Sequence, residues 1–104
     1  MKRPLALAAA FLLSSAASAG EHHVSQKDKV FAPTELKVKA GDKIVFHNDD
    51  DITHNVFSRT EGAEFNVKLQ EPGSESPIVM EKPGVVDVRC AIHPTMKLRV
   101  VVEE

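Results

Sequence analysis

Near the C-terminus the chain reads Val88-Arg89-Cys90-Ala91-Ile92-His93-Pro94-Thr95-Met96, so a thiol, an imidazole and a thioether recur at every third residue. A straight strand cannot easily converge them, but a tight loop between two strands can fold all three around one point. His54, in Asp51-Ile52-Thr53-His54-Asn55-Val56, lies 36 residues before the cysteine and offers a fourth donor. Two imidazoles and a thiolate in a plane, with a weak axial thioether, form the donor set of a mononuclear copper electron-transfer site. Zinc more often takes cysteine and histidine without methionine, and its structural sites show cysteine pairs at short spacings. This chain has one cysteine. Taken singly, the four residues have ordinary readings as a surface histidine, a core methionine or a buried thiol. Their joint occurrence at this spacing is what points to a metal.

The chemistry needs a compartment and a scaffold. Lys2 and Arg3, the apolar run Leu5 to Leu13 and the small-residue site Ala17-Ser18-Ala19 form the pattern of a secretory signal peptide over residues 1–19, with cleavage expected after Ala19. The apolar run is well short of the ~20 residues that span a bilayer, so a retained anchor is the weaker alternative. Lys-Arg rather than twin Arg favours export in the unfolded state, with metal loaded outside the cytoplasm, in the periplasm. The expected mature domain, residues 20–104, keeps 11 basic against 15 acidic side chains, a formal charge of −4 that argues against a nucleic-acid partner. It has room for one small domain. Cys90 has no disulfide partner, and a lone exported thiol needs burial or a metal.

Residues 20–104 contain 13 Val and 4 Ile against 3 Leu and 4 Ala, a bias toward β-branched side chains that suits strands and disfavours helices. Alternation marks strands at Leu36–Lys39, Ile44–Asn48, Phe65–Leu69, Ile78–Met80, Val86–Cys90 and Leu98–Val102. Turns are expected at Ala40-Gly41-Asp42, Glu61-Gly62, Glu71-Pro72-Gly73-Ser74 and Lys82-Pro83-Gly84. A short helical turn within Ser58 to Ala63 is left open. The sum predicts an all-β Greek-key sandwich of seven to eight strands in two antiparallel sheets.

His54-Asn55-Val56 followed by Cys90-x-x-His93-x-x-Met96 resembles the cupredoxins, the small blue copper proteins, and in particular their amicyanin and plastocyanin-like branch. The resemblance runs from the Ala40-Gly41-Asp42 turn through Lys82-Pro83-Gly84 to the end of the chain. It implies one copper per chain, cycling between Cu(II) and Cu(I), held strongly by His54, Cys90 and His93 and weakly by Met96. It also implies that Asn55 ties the two ligand loops together, a supporting role behind the ligands. It departs from the pattern in one respect. Val86, Val88 and Arg89 occupy the strand before the cysteine, and Tyr and Trp are absent, so no aromatic relay stands beside the thiolate. His93 is then the expected exit for electrons, within an apolar surface formed by Ile52, Ile92 and Pro94.

Three further features bear on function. Asp49-Asp50-Asp51 sets negative charge near the metal end, which either steers a basic partner such as a c-type cytochrome or is simply a solvated turn. His47 alternates outward from Phe46 and is not counted among the ligands. After cleavage the chain would begin Gly20-Glu21-His22, with His23 adjacent; amine, two deprotonated amides and imidazole can hold Cu(II) in a square plane. The alternative is a disordered polar start.

The favoured function is a periplasmic one-electron carrier, a monomer with no stable membrane insertion after cleavage. Its partners would be redox proteins such as a c-type cytochrome or a periplasmic oxidoreductase. Four protein donors leave no open position for a substrate, so an enzyme is not expected. The competing reading is a copper-tolerance, sequestering or delivery protein that uses the same ligands. A small copper or zinc enzyme would require one donor, most readily Met96, to stay off the metal.

Overall fold

The structure is a computed structural model that describes residues 19–104; the expected leader lies outside the described residues except for Ala19. Nine strands follow in order: β1 Glu21–Lys27, β2 Val30–Ala32, β3 Glu35–Lys39, β4 Asp42–Asn48, β5 Phe57–Ser58, β6 Phe65–Asn66, β7 Glu75–Met80, β8 Gly84–Arg89 and β9 Lys97–Glu103. They form two facing sheets, ordered β2-β1-β4-β7 and β3-β9-β8-β5-β6. The chain changes sheet at five of its eight connections, while β1-β2, β5-β6 and β8-β9 pair as sequence neighbours, so each sheet combines local hairpins with strands distant in sequence. No helix among the described residues is long and apolar enough to cross a membrane.

The all-β sandwich is as expected, with differences of detail that have physical causes. The sheets are mixed rather than antiparallel, because β1 runs parallel to β4 and β3 runs parallel to β9. Two strands beyond the expected core set come from Glu21–Ala32, a stretch with too few apolar residues to signal itself. Its hairpin turns on Asp28 and Lys29, both at positive φ (55° and 61°), the backbone of a two-residue turn usually marked by glycine. β6 stops at Asn66 instead of continuing to Leu69. Asn66 Oδ1 accepts the Lys68 N–H at 2.8 Å and Lys68 takes φ 66°, which breaks the ladder. The Ser58 to Ala63 segment forms a turn closed by Ala63 N–H to Thr60 O (2.9 Å), without a helix.

Alternation builds the core. In β4 the inward Ile44 and Phe46 are fully buried, and β8 and β9 add Val86, Val88, Leu98 and Val100. Phe46 sits at the centre, edge-on to Phe31 with centroids 6.2 Å apart and tilted against Phe65 at 6.3 Å. Cys90 and Met96 belong to this same buried cluster, so the metal end grows directly out of the apolar core.

The opposite corner is fastened by a carboxylate. Gly41, at φ 97°, turns β3 into β4 and presents the buried Asp42. Asp42 accepts from the His22 ring (2.9 Å), the Lys39 amide (2.9 Å) and the Gly20 amide (2.7 Å), which together hold its carboxyl down to about 2. Because the folded value lies below the ordinary 3.8, this contribution to stability is complete above about pH 4 and is lost as the pH falls toward 2. The expected outcome is a denaturation midpoint that drops over that interval in the parent protein and drops less in Asp42→Asn. Identical slopes in the two proteins would show that Asp42 does not couple folding to protons.

Candidate metal centre

Three side chains converge at one end of the sandwich. His54 comes from the long connection between β4 and β5, where its backbone forms an isolated antiparallel bridge with Gln70. Cys90 follows β8 directly, and His93 lies on the loop that leads into β9. His54 Nδ1 and His93 Nδ1 are 3.2 Å apart, and Cys90 Sγ lies 4.0 Å from the first and 3.8 Å from the second. A triangle of these edges accommodates an ion that bonds nitrogen at about 2.0–2.1 Å and thiolate at about 2.3 Å, close to the plane of the three donors. Among the described residues these three are the one group of three or more His, Cys or acidic side chains whose ligand atoms all lie within 4.8 Å of one another. Met96, fully buried beside them, donates its N–H to the His93 carbonyl at 3.0 Å and so closes the ligand loop. Two imidazoles, a thiolate and a thioether fit copper better than zinc.

The surroundings prepare the lone pairs. His54 is fully buried, and its Nε2–H donates to Asp50 Oδ2 at 2.8 Å, which leaves Nδ1 free to face the cysteine. This hydrogen bond holds the Asp50 carboxyl below its usual value. Burial pushes His93 below the usual imidazole range, reinforced by the charges of His54 and Lys29. The lowered value of His93 favours the acceptor form that a metal needs, and the Asp50 hydrogen bond selects the His54 tautomer with its lone pair on Nδ1. The aspartate run therefore divides its work. Asp49 accepts the Ser25 hydroxyl at 2.6 Å, Asp50 orients the histidine, and Asp51 is exposed. Asp50→Ala is expected to lower copper affinity about 10–100-fold, measured by chelator competition, and to cost the apo-protein about 1–3 kcal/mol as the buried His54 N–H loses its acceptor. Unchanged affinity would show that burial alone orients the ring.

Asn55 links the loops. Its Oδ1 accepts the Ala91 N–H at 2.9 Å, one residue after the cysteine, while its Nδ2 donates to Asn66 Oδ1 (2.9 Å) and the Lys68 carbonyl (2.7 Å). Gln70 supports the same segment from the other side. Its backbone exchanges hydrogen bonds with His54 at 3.1 and 2.8 Å, and its side chain accepts from the buried Gln26 at 2.7 Å. Asn48 Nδ2 adds bonds to the carbonyls of Ile52 and Gln70. Sequence reasoning missed Asp50 as an individual residue and Gln70 altogether. Nothing local separates Asp50 from Asp49 and Asp51 in this helix-free segment, and nothing local marks Gln70.

Of the apolar surface residues, Ile52 is 37 % and Ile92 43 % exposed, and Pro94 is exposed. Leu69, at 71 %, precedes Gln70 and had not been singled out. At the other end, Gly20, Glu21 and His22 do not converge on a point. Gly20 and His22 both bond Asp42, and Glu21 and His22 are extended in β1 alongside β4, whereas a square-planar site would require these residues to wind around the ion. Forming it would mean peeling the start of β1 from the sheet. His47 faces outward, away from the cluster, as alternation indicates.

The sequence model of the Cupredoxin-like domain family matches residues 4–102. The chain belongs to that family. Among curated relatives, the methylamine utilization protein MauL of Methylorubrum extorquens is 36 % identical over 94 % of this chain and 90 % of its own length. Amicyanin-alpha of the same organism is 32 % identical over 84 % of this chain and 76 % of its own. Solved cupredoxins share the fold. Amicyanin from Paracoccus versutus superposes with a TM-score of 0.72 at 23 % identity, over 86 % of this chain and 88 % of that one. A copper-containing nitrite reductase from Thermus scotoductus gives 0.76 at 25 % identity over 98 % of this chain, but this spans only 25 % of the reductase. The relatives group this cupredoxin with the amicyanin type and not with the enzymes.

Proposed function

We propose that this cupredoxin is a periplasmic type 1 copper protein that holds one copper through His54, Cys90, His93 and Met96 and passes single electrons between redox partners. The observation that carries the reading is the His54, Cys90, His93 triangle, whose edges admit an ion close to its plane and which is closed on the inside and open at one ring. His54 has no exposed surface, whereas His93 is partly exposed. Bound in the triangle, copper would supply a Cu(II)/Cu(I) couple. The protein's part is rigidity. Asn55 and the Gln70 bridge fix the loops, Pro94 stiffens the segment after His93, and the thiolate is shut into the core, so both oxidation states meet nearly the same donors.

His93 gives the electron its way out, and Ile52, Leu69, Ile92 and Pro94 supply an apolar docking surface. The name of the relative MauL suggests the setting of methylamine utilization, and the partner would be a c-type cytochrome or a periplasmic oxidoreductase of amine metabolism. Titration with Cu(II) should give an intense thiolate-to-copper band that saturates at one equivalent, bleaches with reductant and returns on mixing with an oxidised c-type cytochrome. A band that exchanges no electrons, together with ready transfer of the metal to a copper acceptor, would replace the carrier by a sequestering or delivery protein.

A further inference from the structure

A second pair of histidines lies on the outer face of the β2-β1-β4-β7 sheet. His23 on β1 and His47 on β4 are diagonal neighbours: the register sets His23 beside Val45 and His47 beside Ser25, and places Glu75 of β7 across from His47. His23 Nδ1 and His47 Nε2 are 2.7 Å apart, with ring centroids at 4.9 Å and planes 25° apart. The other nitrogen of each ring meets a carboxylate. His23 Nε2 is 3.1 Å from Glu21 and His47 Nδ1 is 3.3 Å from Glu75. Lys43 Nζ, 3.4 Å from the second Glu21 oxygen, holds that carboxylate in place.

This wiring decides where the protons go. A carboxylate accepts and cannot donate, so each ring turns its N–H toward its glutamate and its lone pair toward the other ring. Two lone pairs that face each other at this distance repel unless an electrophile lies between them. Histidine that ligates a metal almost always has a carboxylate or a carbonyl at its other ring nitrogen, and here a glutamate oxygen lies 3.1 Å from that nitrogen of His23 and 3.3 Å from that of His47. Val45 beneath them, 7 % exposed, gives the pair an apolar floor. We propose that His23 and His47 form a second, surface metal site, backed by Glu21 and Glu75, which takes a divalent first-row ion with Cu(II) ahead of Zn(II) and completes its coordination with water. Two nitrogens held at right angles on such an ion stand about 2.9 Å apart, so the rings need only a small pivot, which exposed side chains can make.

The site shares no metal donor with the buried triangle and differs from Gly20-Glu21-His22 in its histidines, although Glu21 backs His23, and one experiment separates all three. Protein already loaded with one copper is titrated with further Cu(II) and followed by electron paramagnetic resonance and by the visible band. One additional equivalent is expected, with the signal of a tetragonal nitrogen-ligated ion and no change in the visible band. His23→Gln and His47→Gln should each abolish it, and Glu21→Gln combined with Glu75→Gln should weaken it about 10–100-fold. His22→Gln should leave it intact. If no further equivalent binds, the two rings share only a proton and the proposal falls. It falls equally if the second equivalent survives both His23→Gln and His47→Gln, or disappears in His22→Gln alone.

Discussion

Cys90→Ser should remove the intense visible band of the copper-loaded protein entirely, while Cu(II) remains weakly bound. Sulfur is the one soft anionic donor among the four, and its charge transfer to Cu(II) is what makes such a site intensely coloured. A serine hydroxyl keeps its proton near neutral pH and offers neither the negative charge nor the polarisability. His54 Nδ1 and His93 Nδ1, 3.2 Å apart, would still hold an ion between them. The resonance signal should therefore change from that of a thiolate-bonded ion to that of an ordinary nitrogen-ligated one, and the rapid one-electron couple should vanish with it. Met96→Ala provides the contrast: a weak axial donor is lost, so the band shifts but persists. A band that survives Cys90→Ser would place the chromophore elsewhere and remove the basis for the carrier reading.

Phe46→Ala should produce the largest loss of stability. The ring is fully buried and touches both Phe31 and Phe65, so truncation leaves a cavity between the sheets. Such changes cost about 3–5 kcal/mol. A small domain has on the order of 5–10 kcal/mol to lose, and each kcal/mol shifts the midpoint by about 4–8 °C at this size. The apo-protein should therefore melt at least ~12 °C lower. Copper held by the assembled donors would favour the folded state, so copper at 100 times its dissociation constant should restore up to about 2.7 kcal/mol. Val79→Ala, half-exposed on the outer face of β7, is the control and should stay within about 0.5 kcal/mol. A loss below about 1 kcal/mol in Phe46→Ala would mean that the core closes over the gap.

The candidate donor loop was legible because the information is local and chemically rare: one cysteine, with histidine and methionine each three residues apart. The strands β3, β4, β8 and β9 were legible for a similar reason, since alternation of Val, Ile and Leu needs no partner to be visible. β1 was not. Its inward positions are His22, Val24 and Gln26, and the two polar ones are acceptable inside only because Asp42 and Gln70 meet them, 20 and 44 residues away. The parallel pairs were hidden likewise, because register between distant strands leaves no mark in either one. Asp50 shows the same limit at the site itself. Its neighbours Asp49 and Asp51 look identical in sequence, and only the fold shows which of the three reaches His54.

The position of β9 sets an order of assembly. It lies between β3 and β8 in its sheet, pairing with Glu35–Lys39 on one side and Gly84–Arg89 on the other. The loop that carries Cys90, His93 and Met96 is thus pinned at its far end by a strand whose parallel partner was made long before it, with Glu35 and Arg99 facing each other 64 positions apart. Until that strand is drawn in, the three donors hang from a single anchored edge and cannot be held at fixed separations. A cage with these separations is therefore expected only once β9 has joined the sheet. An ion met by the folding chain before then finds separate ligands instead of a ready-made cage.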